Sequence, residues 1–280
     1  SPPHPPKHLV LRRQRHMCIR DRLTGKTAFV SGGSRGIGLA IAERLAREGA
    51  DVMVSGSSQS NCDAAVKRIS SNSGGRVEAC AADLRSLEGC QSVFNAQSKA
   101  FNSCDILVHS AGATKGGVFP DQDDIDYIDG FALKFHAGVR LSRLFWPSLV
   151  AARGNVVMIV GGASRTPDAK FMVGGAVNAA LANFSKALAG QGLRDDVNVN
   201  WINPGQTETE RLQQLLETRA RDENRSVDDV RAERMQAEGI RRLGQPEDTA
   251  ALVAFLCSNE ARHIHGTGIA VDGGATKGYF

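Results

Sequence analysis

The sequence predicts one α/β domain built on a doubly wound parallel sheet with helices on both faces. Three observations carry that expectation. Short apolar runs alternate with helical periods along the chain, the pattern of βαβ units and a parallel sheet. A glycine-rich turn, Ser31-Gly32-Gly33-Ser34-Arg35-Gly36-Ile37-Gly38, separates the first apolar run from the first helical period. The 280 residues, 41% apolar and 23% charged, have the balance of a single globular domain.

The first strand is the run Ala28, Phe29, Val30 after Thr27. Ile37, Ala40, Ile41 and Leu45 then recur at helical spacing, with Gly49 just past the end. A second strand is expected at Asp51–Ser55, then helix Cys62–Ser70, strand Val77–Ala81, helix Leu87–Phe101 and strand Ile106–His109. Later strands are expected at Asn155–Val160, Val197–Ile202 and Gly268–Val271. Right-handed crossovers between such strands give a Rossmann-type sheet. Between Glu210 and Gly239 the chain is helical and strongly charged, with a capping-box start at Ser226 and Asp229. Residues 210–240 read as a solvated helix pair that can also serve as a substrate lid.

Residues 1–22 hold six Lys/Arg, one Asp and four prolines with no helix or strand period, and read as a disordered or non-native leader ahead of a domain at 23–280. The other 258 residues hold 28 basic and 29 acidic side chains, so the near-neutral body argues against nucleic acid as a partner. No apolar run approaches the ~20 residues of a membrane span, which argues against a membrane. The six cysteines are scattered, with no Cys-x-x-Cys pair. That usage fits reduced thiols in a cytoplasmic protein and offers no metal site.

Glycines between a strand and a helix let the backbone approach a pyrophosphate, and the helix N-terminus adds unpaired N–H groups and a positive dipole end. Gly32, Ser34, Arg35, Gly36, Ile37 and Gly38 are therefore expected to bind a dinucleotide. The spacing Gly-x-x-x-Gly-x-Gly resembles the short-chain dehydrogenase/reductase family, whose opening is Thr-Gly-x-x-x-Gly-x-Gly. Further along, Asp83-Leu84 is similar to its adenine-pocket segment and His109-Ser110-Ala111-Gly112 to its Asn-Asn-Ala-Gly. Asn203-Pro204-Gly205 with Thr209 is similar to the Pro-Gly-x-x-x-Thr segment around the nicotinamide. Arg242-Leu243-Gly244-Gln245-Pro246-Glu247-Asp248 and Val271-Asp272-Gly273-Gly274 add two more signatures.

The resemblance implies cofactor contacts from Asp83, Leu84, Ser110, Ala111, Gly112, Asn178, Pro204, Gly205, Thr207 and Thr209. NAD-selective members carry an acid at the end of the second strand. Here Val54-Ser55-Gly56-Ser57-Ser58 has none, while Arg35 and Ser57 can meet a 2′-phosphate. NADP is the expected cofactor, ahead of NAD.

The family works through a Ser after the fifth strand, a Tyr-x-x-x-Lys pair on the next helix and an Asn on the preceding one. By resemblance the Ser falls on Gly161 or Gly162, the Tyr on Gly174, the Lys on Asn178 and the Asn on Lys134. The two tyrosines, Tyr127 and Tyr279, lie elsewhere. Asn and Lys thus stand exchanged, and Lys134 with Asn178 is the expected catalytic pair. A lysine in a partly apolar cleft has a lowered pKa and can act as an acid, a base or a clamp on an oxyanion. Gly161, Gly162, Gly174 and Gly175 predict a roomier pocket beside the nicotinamide. His136 is expected on the opposite helix face, and Ser164, Asp168 and Lys170 beside the substrate.

The resulting expectation is an NADP(H)-dependent oxidoreductase acting on a small carbonyl or alcohol substrate through a non-standard catalytic site. Two alternatives stay open: an NADP(H)-binding protein without turnover, such as a sensor or partner subunit, and a non-redox enzyme of the halohydrin-dehalogenase kind. The resemblance also implies a homo-oligomer, tetramer or dimer, built partly on helices around Leu141–Leu149 and Ala179–Leu188.

Overall fold

The computed structural model describes residues 22–278; residues 1–21 of the expected leader, and Tyr279, lie outside them. The strands are β1 (Thr27–Ser31), β2 (Asp51–Gly56), β3 (Val77–Ala81), β4 (Ile106–His109), β5 (Asn155–Ile159), β6 (Asn198–Pro204) and β7 (Gly268–Val271). They form one parallel sheet in the order β3-β2-β1-β4-β5-β6-β7. β1, β4 and β5 are buried at every residue, as strands covered on both faces must be.

The helices are α1 (Gly36–Arg47), α2 (Gln59–Ser70), α3 (Leu87–Phe101), α4 (Asp124–Gly130), α5 (Ala137–Ala152), α6 (Met172–Asp195), α7 (Glu210–Asp222), α8 (Val227–Glu238) and α9 (Pro246–Leu256). On one face, Leu39, Ile41 and Leu45 of α1 share a buried cluster with Val253, Ala254 and Leu256 of α9 and with Ile69 of α2. Fully burying side chains of this size contributes ~1.5–3 kcal/mol each. On the other face, Phe145 of α5 stacks on Phe29 of β1 at 4.9 Å and meets Phe94 of α3 edge-on at 5.2 Å.

Several element boundaries differ from expectation. β2 gains Gly56, β5 stops at Ile159, and β6 runs Asn198–Pro204 rather than Val197–Ile202. α2 begins at Gln59, ahead of its first apolar residue, because Ser58 Oγ accepts the Asn61 N–H. At Ser226 the hydroxyl caps α8 by accepting the Asp229 N–H at 3.0 Å. The Asp229 carboxylate, however, accepts from that same hydroxyl at 2.7 Å instead of reaching the Ser226 backbone, so the box is not reciprocal. α7 and α8 close a small apolar cluster of their own from Leu212, Leu216, Ala220 and Val230, joined by Ile240 and Leu243.

Between α4 and α5 the chain takes a wider turn. Phe131–His136 is π-helical, and the Ala137 N–H reaches back five residues to the Ala132 carbonyl. β1 lies between β2 and β4, so the direction of winding reverses there. Such a switch point opens a crevice beyond the C-terminal strand ends. Among the described residues, no helix is long and apolar enough to cross a membrane.

Candidate active site

A cleft of about 670 Å³ opens at that crevice. Gly32, Ser34, Arg35, Gly36, Ile37 and Gly38 border it from the first turn. A Cβ on Gly38 would lie 2.2 Å from the Gly32 carbonyl oxygen, so only glycine lets α1 start this close to the strand. No side chain caps α1 and its first turn holds no acid. Its first N–H groups and positive dipole end are thus left for an anion.

Ser57, just past β2, borders the same cleft and is exposed, as is Arg35. Asp83 and Leu84 line the cleft after β3, and Asp83 Oδ1 accepts the Arg85 N–H at 3.1 Å. Ser110, Ala111 and Gly112 line it after β4; Pro204, Gly205 and Thr209 close it beyond β6. A dinucleotide carrying a 2′-phosphate fits these residues: free N–H groups face the pyrophosphate position, and no carboxylate ends β2 to repel the extra charge.

Lys134 sits in the π-helical turn and borders the cleft. Its stem lies along Gly112, where a Cβ would come within 2.9 Å of Lys134 Cδ. Its Nζ donates to the Val160 carbonyl at 2.5 Å, at the end of β5. Loss of water, then the charge of Arg211, pushes the ammonium down to about 8.

The backbone of Lys134 is held as well. β1 and β4 pair Ser31 with His109, which sets both side chains on one sheet face. His109 Nε2 lies 2.8 Å from the Lys134 carbonyl, which can only accept, so that nitrogen carries the proton. Nδ1 then accepts from Ser31 Oγ at 2.8 Å, and Ser31 Oγ accepts the Ser110 and Ala111 N–H groups at 3.2 Å each. Burial pushes the His109 imidazolium down to about 4 and keeps the ring neutral, as this chain of donors requires.

Two expected residues are elsewhere. Asn178 is buried, and its Nδ2 donates to the Gly174 carbonyl one helical turn back, at 2.7 Å. Its Oδ1 has no hydrogen-bond partner and the amide packs behind Gly161, which borders the cleft; no hydrogen bond joins it to Lys134 among the described residues. Thr207 is buried too, with its hydroxyl on the Gly205 carbonyl at 3.0 Å and its backbone bridged to Gly244.

The roomier pocket needs correction at Gly174. A Cβ there would lie 2.0 Å from the Phe171 ring, so the aromatic occupies the space beside that glycine. His136 is exposed and meets Phe135 edge-on. Ser164 Oγ lies 2.9 Å from the Gly161 carbonyl and 3.3 Å from Asn203 Oδ1 on β6, while Asp168 Oδ1 accepts the Lys170 N–H at 2.8 Å within its own loop. Sequence reading missed Arg211, Glu210 and Gln214, which line the cleft from α7. Their position five to nine residues past Gly205 was the available signal, hidden in a charged stretch.

A family model described as enoyl-(acyl carrier protein) reductase matches residues 32–276. The uncharacterized oxidoreductase YvaG of Bacillus subtilis is 31% identical over 268 residues, which cover 94% of this chain and 100% of that protein. L-sorbose reductase from Gluconobacter frateurii, solved with NADPH and L-sorbose, is 30% identical with a TM-score of 0.89, covering 92% of this chain and 99% of that one. A short chain dehydrogenase from Burkholderia cenocepacia, solved with NADP, is 33% identical with a TM-score of 0.80, covering 91% and 99%. Similarity of this extent, on a sheet wound in this order around this glycine turn, makes the chain a member of the short-chain dehydrogenase/reductase family of oxidoreductases.

Proposed function

We propose that this chain is an NADP(H)-dependent oxidoreductase that interconverts a small carbonyl compound and its alcohol, with Lys134 as the proton-transfer group. The observation that carries the reading is the Lys134 ammonium, fixed at the cleft wall by Gly112 and Val160. Two similar proteins solved with NADPH and NADP support the cofactor. So do the exposed Arg35 and Ser57 where a 2′-phosphate would lie.

When bound, the reduced nicotinamide supplies a hydride to the carbonyl carbon. Lys134 gives its proton to the carbonyl oxygen as negative charge develops there, and water reprotonates the amine. The products are the alcohol and the oxidised cofactor. α7 and α8 act as the substrate lid, with the Arg211 guanidinium tied across the cleft to the Thr114 carbonyl at 2.5 Å.

Reduction needs the protonated lysine, and alcohol oxidation the neutral one. With the ammonium pushed down to about 8, kcat/KM for reduction falls above that pH, and for oxidation it rises through the same range. The check is NADPH oxidation with a panel of small carbonyls from about pH 6 to pH 10; a flat profile sinks the assignment.

A second expected outcome concerns the cofactor. Ser57→Asp places a carboxylate where the 2′-phosphate would lie, and lowers NADPH affinity roughly ten- to a hundredfold while NADH gains. Fluorescence titration with both cofactors reads this directly, and an unchanged ratio would remove Ser57 from the site. The bond from Asn178 to Gly174, rather than to Lys134, favours a second reading, cofactor binding without turnover. NADPH binding with no carbonyl reduced would select it.

A further inference from the structure

Arg211 is the second residue of α7 and borders the cleft together with Lys134. Three neighbouring arginines are matched with carboxylates, while Arg221 and Arg234 make no ion pair among the described residues and do not border the cleft. Arg219 pairs with Glu223 and Glu233, Arg225 with the same two, and Arg231 with Glu208. Arg211 makes no such pair among the described residues. Its one bond is from Nη2 to the Thr114 carbonyl, which leaves most of its five N–H donors uncommitted.

Lys134 is equally unmatched, with only the Val160 carbonyl at its Nζ. Glu210 borders the cleft but pairs with neither cation. Two positive side chains thus face one space with no carboxylate ion-paired to either among the described residues, close enough for Arg211 to depress the lysine. The cofactor's phosphates are expected at Arg35 and the α1 N-terminus, at the β1–β2 end, whereas Arg211 reaches Thr114, beyond the Gly112 against which the Lys134 stem lies.

We propose that the substrate is a short oxo acid, its carbonyl facing Lys134 and its carboxylate held by the Arg211 guanidinium. This rests on the reading of Lys134 as the proton donor. A planar guanidinium accommodates a carboxylate through two parallel charge-assisted bonds, and the bound anion offsets the repulsion between the cations. The oxo acid then enters beneath α7, whose first turn supplies the anchor.

The test compares matched pairs with the full chain: 2-oxobutanoate against 2-butanone, and acetoacetate against its methyl ester. The acid of each pair is expected to show the higher kcat/KM. Arg211→Gln is expected to lower kcat/KM for the acids about ten- to a hundredfold more than for the uncharged partners. Equal losses for acid and ester, or a matching loss of NADPH affinity, would overturn the proposal and assign Arg211 to the cofactor.

Should no carbonyl turn over, the functional reading fails separately. The inference is then read by oxamate binding to the protein with NADPH, followed by nicotinamide fluorescence. Oxamate binding that is lost in Arg211→Gln supports the anion site; no oxamate binding, or binding unchanged in the variant, overturns it.

Discussion

Replacing Lys134 by methionine lowers turnover about 10²–10⁴-fold, roughly 3–5 kcal/mol of barrier, while NADPH continues to bind. Methionine keeps an unbranched stem against Gly112, so the cleft wall is preserved and the ammonium alone is removed. The Val160 carbonyl loses its partner at the edge of the cleft, where water can replace it. Lys134→Arg distinguishes the two roles open to a cation. A guanidinium stays protonated at every relevant pH, so it can clamp an oxyanion but cannot deliver a proton. An acid role therefore predicts that arginine fails as methionine does, and a clamp role that it restores most of the rate. Steady-state kinetics beside a cofactor titration separates these outcomes; unchanged turnover in both variants would end the case for Lys134.

The second large effect is on stability in acid. His109 is buried with its pKa lowered to about 4, against 6.5 for a free histidine. The unfolded chain takes up a proton there below about pH 6.5, and the folded protein only near pH 4. The neutral ring's contribution is thus complete above pH 6.5 and is lost as pH falls from there toward 4. The full span is on the order of 3 kcal/mol. Urea unfolding at pH 7 and at pH 4.5 should show wild type losing about 2–3 kcal/mol more than His109→Asn. Equal losses would mean that the ring is not held neutral by burial. The variant is expected to be less stable at pH 7, because the Lys134 carbonyl and Ser31 hydroxyl lose their shared partner.

The cofactor half was legible because it is local. A strand, a glycine turn and a helix start are written within Thr27–Leu45, and the chemistry there belongs to backbone groups that any sequence with that spacing presents. Helix and strand periods likewise made the parallel sheet and most of its covering helices legible, while α4 and α9 were not expected and several ends moved, one of them set by the Ser58 cap. The other half was not legible, because each feature depends on contacts far apart in sequence. Nothing in Phe131–His136 announces a π-helical turn, and the His109 ring that holds it comes from a strand 25 residues away. Asn178 could reach the cleft or fold onto Gly174, and only the surrounding packing decides. Arg211 reads as one more solvated charge in the sequence, and only the fold brings it to the cleft and onto the Thr114 carbonyl, 97 residues away in the chain.

The Phe171 ring beside Gly174 constrains the order in which these residues can change. A tyrosine at 174 cannot be accommodated while that ring stays, since even its first side-chain atom would lie inside the ring's contact distance. Trimming Phe171, or turning its ring aside, clears the space before a side chain is added at 174. The two positions therefore act as a coupled pair within one helical turn, and the cost of filling 174 depends on what stands at 171. A tyrosine at 174 is accordingly expected to be tolerated better beside a trimmed 171 than beside Phe171.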